Sequence, residues 1–307
     1  MNGHLLTLPA AVLFPAIPSE VKWSYLVGGL VFAVGLVAIF LRGDWQKAQG
    51  FDKLLLFGPL FYAAPLAAFG TEHFTLTQII ASIIPPWIPW HLFWAYFVGA
   101  CFIAAGFSLV TGIQTRLSAS LLVLTFFLFV VMMDIPALLQ NPRDRFVLTV
   151  AFRELSFSGA ALAFAASLTP QSREPGKHIF TTIAQYFVAL PVIFFSFEQF
   201  RHGAHVPAVP LEPLTPQYIF GHAVWTYFAA VAYAITGLLL LVNKKTRAAA
   251  TWLGLTVLFI ELVVYVPIGV VERASLAKGL NYVFDTLMFC GAILLLARAL
   301  PRESTKN

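Results

Sequence analysis

A chain of 307 residues that is 59% hydrophobic and only 11% charged lies far from ordinary soluble domains, which carry roughly 25% charged residues. Its apolar residues come in continuous runs of about 20, long enough to cross a bilayer core as helices, so the chain reads as a polytopic membrane protein embedded in the lipid bilayer. The net charge of +5 sits in short loops between the runs. That is a topology pattern rather than a nucleic-acid surface, and neither a P-loop nor a dinucleotide fingerprint occurs.

The first residues, MNGHLLTLPAAVLFPAIPSE, are apolar but lack a basic n-region, and Pro9, Pro15 and Pro18 interrupt them. They read as an interfacial lead-in, not a cleaved signal peptide. Nine apolar segments follow, at 24–41, 54–70, 91–111, 118–138, 147–167, 179–199, 218–242, 249–270 and 279–299. Because the runs do not alternate, a β-barrel is excluded and nine helices are expected. The first segment, with Gly28, Gly29 and Gly35, offers a close-packing face to a partner. Cys101 and Cys290 both fall inside apolar runs without a CxxC, so both are expected as buried free thiols that act as small hydrophobes.

Loop charges give the orientation. Arg42, Lys47, Lys53, Arg116, Arg173, Lys177, Lys244, Lys245, Arg247, Arg298, Arg302 and Lys306 fall on one side. The other side holds Lys22, Arg143, Arg145, Arg201, Arg273 and Lys278, a split of 12 to 6. The richer side is expected in the cytoplasm, with the N-terminus outside and the C-terminus inside a bacterial inner (plasma) membrane.

Several motifs occur twice. PLAAFGTEHF (65–74) matches PVIFFSFEQF (191–200) at an offset of 126, with Pro65, Phe69, Glu72 and Phe74 returning as Pro191, Phe195, Glu198 and Phe200. WHLFWAYF (90–97) matches GHAVWTYF (221–228) at 131, so the second loop is five residues longer. Gly106, Thr115, Arg116 and Pro136 recur at the same offset as Gly237, Thr246, Arg247 and Pro267, and SGAALAFA (158–165) meets CGAILLLA (290–297) at 132. Ordered matches with small drift indicate a duplicated unit. The expected organisation is a lead-in and first helix over 1–53, one four-helix repeat over 54–170, a second over 177–300 and a cytoplasmic tail over 301–307. Since each unit has an even number of helices, the copies are expected to be parallel, related by an axis near the membrane normal.

Polar residues inside apolar runs need a reason, because a charge at the bilayer centre costs at least ~2.5 kcal/mol. Glu72 and His73 close the second helix, His91 opens the third, Asp134 ends the fourth, and Arg153 and Glu154 lie two turns into the fifth. In the second half Glu198 closes the sixth helix, His222 opens the seventh and Asp285 lies in the ninth. All are expected at the outer end, beneath the Pro-rich loops 75–89 and 201–216. The glutamates serve either as acceptors for neighbouring helix ends or as partners of the histidines, and the histidines either as interfacial anchors or as pocket groups. A direct or water-bridged pair is expected for Glu72 with His91 and for Glu198 with His222. The spacing of Glu72, His73 and His91 matches no metal motif, and no metal site is assigned. Arg153 and Asp285 align at an offset of 132 with opposite charges. They pair with each other across the internal axis, or Arg153 pairs within its own unit with Glu154, Asp134 or Asp144.

The span 57–168, with FGTEHF, IPPWIPWHLFWAYFVGACFIAAG and SFSGAALAFA, resembles the DoxX-like family of four-helix membrane proteins, and 185–300 resembles a more diverged copy. The resemblance implies a four-helix bundle in a bacterial membrane. Some members are membrane subunits of quinone-linked oxidoreductases, including thiosulfate:quinone oxidoreductase. The positions that transfer are Glu72 and His91, without a fixed role. The expected function is thus a membrane subunit of a redox system, with a quinone as candidate cofactor and a periplasmic or membrane protein as partner. A small-solute transporter and a non-catalytic accessory subunit are the alternatives. The sequence shows no flavin motif and no cysteine pair for catalysis on its own.

Overall fold

The computed structural model describes residues 17–168, 179–211 and 213–302. The expected lead-in up to residue 16, the junction between the two expected units and the tail from residue 303 lie outside the described residues. Among the described residues the fold is all-α, and nine helices are long and apolar enough to cross a membrane. They are α1 Ser19–Leu41, α2 Asp52–Thr75, α3 His91–Thr111, α4 Thr115–Gln140, α5 Arg145–Ser167, α6 Ile179–Arg201, α7 His222–Leu241, α8 Thr246–Val271 and α9 Leu276–Ala299.

Local chemistry sets the helix ends. Gly112, at φ +81°, closes α3 in the left-handed region that glycine enters without a Cβ clash. The Asp144 carboxylate accepts from the Val147 amide at 3.0 Å and caps α5. Both α4 and α8 contain a π-helical turn, Val130–Asp134 and Glu261–Tyr265, each followed by an α segment with proline at its second position. Pro136 and Pro267 lack an N–H and crowd the carbonyl four residues back, so the ladder widens there. The two π turns are 131 residues apart. So are the left-handed residues Trp90 and Gly221, Gly112 and Asn243, and Gln114 and Lys245.

The packing centres on α2 and α9, 72% and 78% buried, whereas α4 is 17% buried and presents most of its surface outward. α2 packs against α1, α3 and α9, and α5 against α4, α6 and α9. α6 packs on α7, α7 on α8, and α8 on α9. Thus α5 meets α6, α9 meets α2, and α5 and α9 touch at the centre. Glycines make both crossings possible: a Cβ on Gly159 of α5 would meet Phe187 and the Ala184 carbonyl of α6, and one on Gly291 of α9 would meet the backbone of Phe61 and Tyr62 in α2.

Two expectations are corrected. Gly28 of α1 packs on Ala64 and Ala68, and Gly35 on Leu60 and Val110, so these glycines seat α1 on its own chain. Only Gly29 faces open space. Cys290 is buried as expected, but Cys101 is exposed, on the outward face of α3.

Candidate functional site

Glu72 sits on the buried inward face of α2, and Arg153 and Glu154 project from α5. Asn281 and Asp285 stand one turn apart on α9. Together with His73 they form the polar floor of a cavity of about 490 Å³ at the end of the bundle where α3 begins. The walls are apolar, with Phe69, Trp94, Phe102, Phe129, Met132 and Met133 among them. The segment after α2 is not the plain loop expected: it turns into a short helix, Thr77–Ile83, and lays Ile80, Ile83, Ile84 and Ile88 over the cavity. Ile83, Trp94 and Leu128 line the cavity and are also exposed on the bundle surface, so the cavity reaches the lateral face between this short helix, α3 and α4.

The floor is held by one strong contact. Arg153 Nη1 donates to Asp285 Oδ2 at 2.7 Å, joining α5 to α9, while Nη2 lies 3.8 Å from Glu154 Oε1. Of the pairings open from sequence, the pair between the halves is the close one. The Arg153 guanidinium also stands 5.9 Å from the centre of the Phe157 ring. His73 Nδ1 bonds to the Phe69 carbonyl at 2.8 Å, which makes Nδ1 the protonated nitrogen, and its ring meets Phe102 edge-on at 5.5 Å. Asp134, brought inward at the end of the π turn, stands against Glu154. Two carboxyls in contact are both acceptors, so a hydrogen bond joins them only when one carries a proton.

Several buried polar atoms here find no hydrogen-bond partner among the described residues: Glu72 Oε1, Asp134 Oδ2, Arg153 Nε, Glu154 Oε2 and Asn281 Oδ1. Buried polar groups are almost always satisfied, and their concentration at one cavity marks it as built for a polar ligand group or water. The arrangement is a pocket with apolar walls, a lateral mouth and a floor of hydrogen-bonding and titratable side chains.

Of the residues expected from sequence, Glu72, His73, Arg153, Glu154 and Asp285 come together here and Asp134 adjoins them. His91, Glu198 and His222 do not belong to it. The direct Glu–His pairs are corrected: no ion pair within 4.0 Å joins Glu72 to His91 or Glu198 to His222. Glu72 turns toward the Arg153–Asp285 floor, and His91 is not part of the cavity lining. Glu198 is taken by Arg145 Nε at 2.6 Å, with His202 Nε2 at 3.7 Å. Arg145 is always charged and presents several donors, which makes it a better carboxylate partner than a histidine. The sequence marks Arg145 only as a loop charge and does not single out Asn281. The signal for Asn281 was its i, i+4 spacing to Asp285.

The second half differs at the corresponding place. Residues 206–211 fold inward and are buried, Val206, Ala208 and Val209 completely. Their backbone is tied down from three sides. Tyr265 Oη donates to the Pro207 carbonyl at 2.5 Å, the Ala208 amide donates to Gln199 Oε1 at 3.1 Å, and Arg145 Nη2 donates to the Pro210 carbonyl at 2.9 Å. Gln199 and Tyr265 align with His73 and Asp134 of the first half, at offsets of 126 and 131. Residues 206–211 thus fold into the bundle, whereas the segment after α2 lies over the cavity.

The fold and cavity define an α-helical protein of the multi-pass membrane class with an internal amphipathic pocket. No protein family, no curated protein and no solved structure matches this chain.

Proposed function

We propose that this chain is a DoxX-like integral membrane protein of a bacterial inner membrane, made of two tandem four-helix units, and that its first unit binds the head group of a quinone as the membrane subunit of a redox system. The N-terminus lies outside and the cavity opens in the outer half of the bilayer. The observation that carries this reading is the cavity itself. A quinone is a flat ring on a lipid-soluble tail, and it exchanges protons whenever it exchanges electrons. Apolar walls with a lateral mouth suit the ring and tail, while Glu72, His73 and the Asp134–Glu154 pair supply groups that take up and release protons. Electrons come from a periplasmic or membrane protein partner.

The tandem arrangement rests on the shared offsets of the π turns and left-handed residues, and on the reciprocal packing of α5 on α6 and α9 on α2. A rotation about the membrane normal between α5 and α9 relates the copies. The packing disfavours solute transport. A second cavity lies at the opposite end of the first unit, but the level between holds Tyr62, Ala63, Ala105, Ala160 and Ala161, all buried and closely packed.

The test is binding. Trp94 lines the cavity and reports on it. A short-chain quinone analogue titrated into purified protein is expected to quench tryptophan emission saturably, with Trp94→Phe removing the saturable part and Glu72→Gln weakening affinity about tenfold, the effect of losing one hydrogen bond. Unsaturable quenching, together with no quinone in solvent extracts of the purified protein, overturns the assignment.

A further inference from the structure

At the opposite end of the first unit, three arginines gather around a second cavity of about 400 Å³. Its depth is apolar, formed by Ile39, Leu60, Leu109, Val110 and Phe164, and its rim carries Arg42, Arg116 and Arg298 with one carboxylate, Asp44. Arg42 donates to the carbonyls of Val110 and Thr111 and so closes the end of α3. Arg298 lies 5.8 Å from the centre of the Phe164 ring. Neither Arg116 nor Arg298 has a carboxylate within 4.0 Å among the described residues.

The second half supplies an internal control. Arg247 aligns with Arg116 at an offset of 131, and it is fully engaged. It pairs with Asp52 at 2.7 Å and donates to the carbonyls of Ala297 and Leu300 at 3.2 and 3.0 Å. The same position is therefore neutralised from within in one half and left open in the other, next to a cavity with an apolar interior.

We infer that this cavity binds an anionic phospholipid, with the phosphate held by Arg116 and Arg298 and the start of an acyl chain in the apolar depth. Guanidinium groups match phosphate oxygens in two-point hydrogen bonds, and basic pockets between membrane helices hold acidic lipid head groups. A soluble anion needs no apolar depth, whereas a lipid uses both parts of the cavity. The site lies at the Arg116 end, away from the polar floor near Glu72, and stands independently of what binds there.

The test compares the full chain in nanodiscs of phosphatidylcholine with and without phosphatidylglycerol, by thermal unfolding and by native mass spectrometry. Phosphatidylglycerol is expected to raise the unfolding temperature and to remain bound on release from the disc. The exposed Arg116→Gln, Arg298→Gln double variant is expected to lose at least tenfold in lipid retention, with Arg116→Lys, Arg298→Lys recovering part of it. Arg143→Gln, a basic residue at the other end, is expected to behave as the parent. Equal retention by the double glutamine variant overturns the site. An equal temperature rise with inorganic phosphate in phosphatidylcholine discs overturns the lipid and leaves a free-anion site.

Discussion

Arg153 and Asp285 lie 132 residues apart, occupy matching places on α5 and α9, and meet at 2.7 Å. Both belong to the polar floor, so one contact joins the halves of the chain and shapes the cavity. Removing Arg153 leaves Asp285 buried without its cation, and removing Asp285 leaves Arg153 only the longer contact to Glu154 at 3.8 Å. Arg153→Met and Asp285→Met are each expected to destabilise by about 3–5 kcal/mol, and the double variant Arg153→Met, Asp285→Met by much less than their sum, because both charges then leave together. Thermal unfolding in one detergent measures all three. Additive losses in the double variant contradict the pairing.

The crossings of the halves depend on glycine. At Gly159 an added Cβ stands 2.6 Å from Phe187 Cβ, and at Gly291 it collides with the Tyr62 backbone. Gly159→Ala and Gly291→Ala are both expected to destabilise by about 1–3 kcal/mol. The loss is larger at Gly291, because backbone yields less readily than a side chain. Unfolding temperatures of the two variants check the order.

The inward fold of 206–211 makes a labelling prediction. Ala208→Cys is expected to resist a soluble thiol reagent in the folded protein, because Ala208 is fully buried. Adding Tyr265→Phe strips the Pro207 carbonyl of its donor at a cost of about 1–3 kcal/mol. Labelling at position 208 is then expected to accelerate. Rapid labelling without that change contradicts the tight seat of the segment.

His202 follows the last residue of α6, outside the membrane helices, facing Glu198, Arg145, His205 and Arg201. Burial first, then the Arg145 guanidinium, hold its imidazole below the ordinary value of 6.5, against the opposing pull of Glu198. The unfolded chain therefore binds the proton more readily than the fold. Its contribution is complete above pH about 6.5 and is lost as pH falls from there toward the lower folded value. The unfolding temperature of the parent is expected to drop more between pH 7.5 and 5.5 than that of His202→Gln. Identical drops remove His202 as the cause.

The proposed orientation follows from the basic loops. Single cysteines placed in 42–53 and 243–248, in a chain lacking the exposed Cys101, are expected to label only when the cytoplasmic face is opened. Labelling of either loop from outside in intact cells reverses the topology.

Much of this architecture was legible in the sequence, because bilayer thickness forces each crossing to be a continuous apolar run. The nine runs correspond to the nine helices, and His91 and His222 do open α3 and α7. The Arg153–Asp285 pair was legible for a related reason: equal spacing of matched motifs put opposite charges at one aligned position. Azimuth was not legible. The sequence puts Glu72 and His91 at the same end of the bundle, but only the rotation of α2 decides that Glu72 looks toward α5 and α9. The π turns left no mark in composition beyond Pro136 and Pro267, yet they bring Asp134 to the site. The difference between the loops was equally hidden. Residues 75–89 and 201–216 read alike as Pro-rich covers, and five extra residues do not say which way a loop folds. Side-chain hydrogen bonds from α5, α6 and α8 draw 206–211 inward, and those helices meet only once the bundle has formed. Sequence determined which segments cross the membrane, because that depends on each segment's own transfer from water. Tertiary structure decided which polar groups share a cavity, because that depends on how the helices turn against one another.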